Sequence, residues 1–123
     1  SLPALPAGWK YEGWALISGK PVSTGVISSA SSADSFSGYS GTAAMPPFPG
    51  EDFIMNAPAG LSFPANLSGG LAVISVEPFP DNSPDPFLLK PLVGNIPTSP
   101  MQHFVYNMNL NSGSFPSGTI TKN

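Results

Sequence analysis

The residues able to do chemistry in this chain are few. It has one histidine, His103, and no cysteine. A hydrolytic triad needs a nucleophile, a base and a third group that orients the base. Serines are plentiful, but no Gly-x-Ser-x-Gly elbow leads into a helix. His103 lies in an alternating apolar–polar run, where it reads as an ordinary sheet residue. The lack of cysteine removes disulfides, thiolate metal sites and cysteine nucleophiles together. One imidazole does not make a transition-metal site. No catalytic residue, cofactor or metal is expected, and the chain is not expected to be an enzyme.

Seven acidic residues remain, and a glycosidase would need two of them across a cleft. Glu51 and Asp52 are adjacent in a Pro/Gly-rich stretch. Asp81 and Asp85 share a loop with Asn82 and Ser83, and these four offer hard oxygen ligands of the kind calcium takes. That loop lacks the glycine and terminal glutamate of a calcium loop. An Asx-type turn, with side chains bonding the backbone ahead, is the expected structure. Glu12 and Glu77 fall inside strand patterns, where a buried carboxylate needs a partner. Lys10, Lys90 or backbone N–H groups are the candidates.

Aromatic residues give a second kind of chemistry. Trp9, Tyr11 and Trp14 could stack on sugar faces, but on a regular strand Trp14 points away from Tyr11. Trp14 is therefore expected in a core. Phe48, Phe53 and Met55 lie in a Pro-rich stretch that either tucks onto the domain or forms a contact patch. With Trp9 they are the candidate partner-contact residues. Asn66-Leu67-Ser68 fits an N-glycosylation sequon, which matters only in a eukaryotic secretory route.

These side chains must be positioned by strands. Of 123 residues, 16 are Pro and 13 are Gly, while 41% are hydrophobic. Proline in a helix interior costs about 3 kcal/mol, so short strands joined by turns reconcile the two features. The length suits one domain covering 1–123. Strands are expected over 11–17 and 22–27, joined at Gly19, then over 71–77, 87–94 and 102–110. In the last of these, Phe104, Tyr106, Met108 and Leu110 share one face. Shorter strands are expected at 34–39, 52–55, 61–67 and 119–121, with 28–60 as a long irregular insertion. About seven or eight short strands imply an all-β fold, an antiparallel β-sandwich.

Charge narrows the partners. There is no arginine, and Lys10, Lys20, Lys90 and Lys122 are the whole basic complement. That is too few to neutralise a nucleic-acid backbone or to form a polybasic membrane patch. No apolar run is long enough to span a bilayer. No signal peptide is visible in the opening residues. The Ser, Thr, Asn, Gly and Pro-rich composition is that of an exported protein, with any lipid anchor outside the given sequence.

Two stretches resemble a known family. Residues 2–28, "LPALPAGWKYEGWALISGKPVSTGVIS", are similar to the start of the extracytoplasmic C-terminal domain of anti-sigma-K factors. The shared features are a Leu-Pro lead-in, a tryptophan in the first strand, a Gly-rich turn and Pro-Val-Ser-x-Gly. Residues 71–94 resemble a later hairpin of that family. The resemblance implies an outer domain located in the periplasm or on the cell surface. The cytoplasmic helical segment that holds the sigma factor in that family, and the transmembrane helix that follows it, have no counterpart in this sequence.

The expected function is a non-enzymatic protein-interaction domain, an accessory subunit or surface lipoprotein of a larger envelope assembly. A glycan-binding module using Trp9, Tyr11 and Trp14 is the alternative. So is a filament subunit that donates residues 1–8 or 115–123 as a strand.

Overall fold

The computed structural model of the protein describes residues 2–42, 47–101 and 104–123. The reading of His103 as a sheet residue lies outside them. Strand β1 (Trp9–Ile17) and strand β2 (Lys20–Ile27) form the first hairpin. Ser18 and Gly19 make its turn with φ of 51° and 76°. Two successive positive φ values give the turn whose twist matches that of paired strands. Strand β3 (Leu71–Pro78) then lies along the other side of β1, from Leu16 opposite Leu71 to Trp9 opposite Pro78. Strands β4 (Leu92–Asn95) and β5 (Asn109–Leu110) extend the sheet. The order is β2-β1-β3-β4-β5, and every pairing is antiparallel.

The all-β, antiparallel character is thus present, with one short 3-10 turn at Ser112–Ser114 as the helical element among the described residues. Among the described residues, five strands in one sheet stand where seven or eight were expected. The segments 34–39, 52–55, 61–67 and 119–121 are not strands. Three of them touch their neighbours through isolated backbone bonds: Ser35 N–H to Val26 O, Ile54 N–H to Tyr39 O and Ala65 N–H to Phe53 O. Their Ser, Gly and Pro content favours turns over ladders. The expected strand over 87–94 shrinks to β4 because Pro91 has no N–H to give. A single bond from Val76 N–H to Leu89 O precedes it. With only four residues in β4, β5 has little to pair with. The expected buried face does not form, since Phe104, Tyr106 and Leu110 are exposed.

Register divides the sheet into two faces. Ala15, Ile17 and Val22 lie on one and pack against Phe53. Around them gather Tyr39, Leu61, Phe63, Ala65 and Leu67, all from the connection between β2 and β3. Among the described residues, that connection is the second layer of the core. On the opposite face Trp14 is 3% exposed, as expected of a core residue, beside buried Val73 and Ser75.

Candidate interaction surface

The β1–β3 pairing brings side chains of one parity together, so Lys10, Glu12 and Trp14 face the same way as Glu77, Ser75 and Val73. A polar line runs through this face. The Trp14 indole N–H donates to Ser75 Oγ at 2.7 Å. Ser75 Oγ donates in turn to Glu77 Oε1, which also accepts the Phe87 N–H at 2.8 Å. Glu77 is 2% exposed, and these donors are what make its burial tolerable. Neither Lys10 nor Lys90 serves: the Lys10 ammonium lies over the Phe79 ring, 5.3 Å from its centre. Lys90 bonds through its backbone to Ser114 and Asn111. The backbone-capping option is the one realised, with a serine hydroxyl added.

The bond between Glu77 and the Phe87 backbone anchors the loop after β3. That loop and the start of β1 then form an aromatic end to the sheet. Trp9 and Phe87 meet at 5.8 Å with rings tilted by 55°. Phe79 N–H donates to Gly8 O at 2.9 Å, which fixes Phe79 beside the entry to β1. Trp9, Phe79, Phe87 and Leu88 are all exposed. Lys10 contributes a cation–π contact to Phe79, an attraction of about 0.5–1 kcal/mol at exposed sites.

A separate hollow of about 250 Å³ opens beside β2, lined by Glu12, Ser23, Gly25, Val26, Phe36 and Tyr39. It exists because β2 carries a bulge. Ser23 faces Trp14 and Gly25 faces Gly13, leaving Thr24 as the extra residue. Gly25 has φ of 113°, a conformation that a side chain strongly disfavours. A Cβ there would also stand 2.8 Å from the Cβ of Phe36. Asp34 completes the construction: Oδ1 accepts the Phe36 N–H at 3.0 Å and Oδ2 the Gly50 N–H at 2.7 Å. Ser23 Oγ donates to Glu12 Oε1 and accepts the Gly25 N–H. Burial pushes the Glu12 carboxyl above the usual range. The Ser23 hydrogen bond opposes the shift, and the charges of Glu77 and Asp81 add to it.

The four expected contact residues are not brought to one place. Trp9 belongs to the aromatic end. Phe48 and Met55 are exposed on the connection between β2 and β3. Phe53 is 2% exposed and packs with Tyr39 and Phe63 in the core. It is withdrawn as a contact residue, since its ring completes the layer over Ala15 and Ile17. The three-ring sugar platform does not form either, because Trp14 is buried on the far side of β1 from Tyr11. The Tyr11 hydroxyl donates to Pro3 O at 2.9 Å, tying down the lead-in.

The Asp81–Asp85 loop takes the turn form. Asp81 Oδ1 accepts the Ser83 N–H, and Ser83 Oγ accepts the Asp85 N–H. Among the described residues no group of three or more His, Asp or Glu side chains gathers to hold a metal ion. Asn66 is exposed, with Oδ1 accepting from both the N–H and the hydroxyl of Ser68. Phe79 and Phe36 were missed from the sequence. Phe79 carried a usable signal, since it stands between two prolines as Phe48 does. Phe36 carried none, because its place depends on the bulge.

No family model matches the chain, and neither a curated protein nor a solved structure matches it.

Proposed function

We propose that this is a non-enzymatic protein-interaction domain that works outside the cytoplasm, as an accessory subunit or surface lipoprotein of an envelope assembly. The observation that carries this reading is the exposed aromatic end of the sheet, where Trp9 meets Phe87 and the backbone of Phe79 is tied to Gly8 at the entry to β1. Buried aromatic anchors supply most of the energy in protein interfaces, and apolar residues grouped on a surface mark such contacts. The resemblance of residues 2–28 and 71–94 to the outer domain of anti-sigma-K factors supports the same class, since both stretches build this end. In this reading the sheet is one layer of a sandwich-like body whose other layer is the connection between β2 and β3. No described helix is long and apolar enough to cross a membrane, so a membrane assembly would be met by contact or through an anchor.

The test is affinity capture from source-cell membranes with the native chain and with Trp9→Ala and Phe79→Ala. A defined partner, recovered in stoichiometric amount and lost with either variant, is expected. Both variants should keep the native melting temperature within a few degrees, because surface substitutions shift stability by about 0.5 kcal/mol. A chain recovered alone and monomeric under all conditions would remove the reading.

A further inference from the structure

The polar side chains that line the hollow beside β2 are Glu12, Ser23 and Tyr39, and two of the three act there as acceptors. Ser23 has spent its one proton on Glu12 Oε1, and its oxygen already receives the Gly25 N–H. The Glu12 carboxylate, when ionised, can only accept. The field there is negative as well, since Glu77 and Asp81 both act on Glu12. The walls are aromatic: Phe36 and Tyr39 meet edge to face at 4.9 Å. Tyr39 is backed by Phe53 and Phe63, with ring centres 6.0 and 5.4 Å away. Among the described residues no lysine lines the hollow. Lys10 is engaged with Phe79, and the Lys20 ammonium sits close to Gly60.

A cavity with a carboxylate, a committed hydroxyl and two ring walls suits one kind of guest. An anion or a bare carbonyl finds one side-chain donor, the Tyr39 hydroxyl, and is repelled by the Glu12 carboxylate. A sugar needs donors and acceptors in alternation. A cation on an apolar stem satisfies each feature: its N–H groups meet Glu12 and its stem and charge lie against the rings. We propose that this hollow receives a lysine or arginine side chain presented by a partner protein.

This deepens the contact reading and rests on it for the source of the side chain, but its chemistry is tested without any partner. Nα-acetyl-lysine-N-methylamide and the arginine analogue are titrated into the native chain, followed by two-dimensional NMR. Saturable shifts centred on Glu12, Ser23, Gly25, Phe36 and Tyr39 are expected. The norleucine analogue, which keeps the stem and lacks the charge, should bind at least about tenfold more weakly, a difference of about 1.4 kcal/mol. Glu12→Gln keeps the acceptor for Ser23 and removes the charge, so it should weaken the basic ligands to the level of norleucine. Phe36→Ala should weaken all three. Equal binding of norleucine, preferential binding of methyl glucoside, or no shift at the hollow with any ligand would overturn the proposal. Partner capture that depends on Trp9 would survive any of those results, so the two readings fail separately.

Discussion

Glu12 is one of the residues through which the stability of the folded chain depends on pH. Its carboxyl titrates above the ordinary glutamate value because burial outweighs the Ser23 hydrogen bond. A folded-state value above the unfolded one means that the folded chain binds the extra proton across that window. Its contribution to stability is therefore fully present below the unfolded value and is lost as pH rises through the folded one. Glu51 acts in the same direction, with burial again the largest cause. Glu12→Gln removes the Glu12 part. The stability of the variant relative to the native chain should grow as pH rises from mild acid to neutral, measured by urea unfolding across that range. A difference independent of pH would contradict the assignment. The strand position of Glu12 was legible, and so was its need for a partner. That the partner would be Ser23 was not, because the pairing depends on which residues of β2 oppose Trp14 across the bulge.

At the scale of elements, the first hairpin and β3 were legible because their residues are β-branched and apolar with clear turn signals. Their observed ranges extend the expected ones by one or two residues at the ends. The later strands were overstated. Alternation over 102–110 describes a strand that needs a neighbour of equal length, and Pro91 keeps that neighbour short. The bulge at Thr24 went unread, although the glycine that follows it inside the strand is a signal for one. It is nonetheless where β2 is most constrained. Gly25→Ala places a Cβ at φ of 113° and 2.8 Å from Phe36. A cost of about 1–3 kcal/mol follows from the backbone strain alone, and the displaced Phe36 should open the hollow. Chemical denaturation measures the first effect, and the NMR shifts of Phe36 and Tyr39 the second.

For the whole molecule, the connection between β2 and β3 takes the part expected of a second sheet. Phe53 is the residue through which it holds the sheet, as it sits among Tyr39, Phe63, Ala15 and Ile17. Phe53→Ala should cost about 3–5 kcal/mol, the range for truncating a buried phenylalanine. The loss falls where, among the described residues, no ladder of backbone bonds secures the layer. Limited proteolysis should therefore cut the variant within 28–70 before the sheet strands are touched. Cleavage spread evenly over the chain would show that the layer and the sheet come apart together. Composition made clear that this segment would be irregular. Tucking onto the domain was one of the two readings of its apolar residues; that Phe53 would be the ring to enter the core was hidden, because a lone Phe between Asp and Ile carries no periodic signal.

The strand order has a kinetic consequence. The central pair, β1 and β3, joins residues such as Trp14 and Ser75 that are 61 positions apart, whereas β1 and β2 meet across a two-residue turn. Closing a long loop must precede the reward of the contacts it allows, so distant pairings slow folding. On a ribosome the first hairpin can close early, yet its central strand keeps one edge unpaired until β3 emerges. During that interval the newborn chain displays the kind of sticky border that recruits chaperones or other nascent strands.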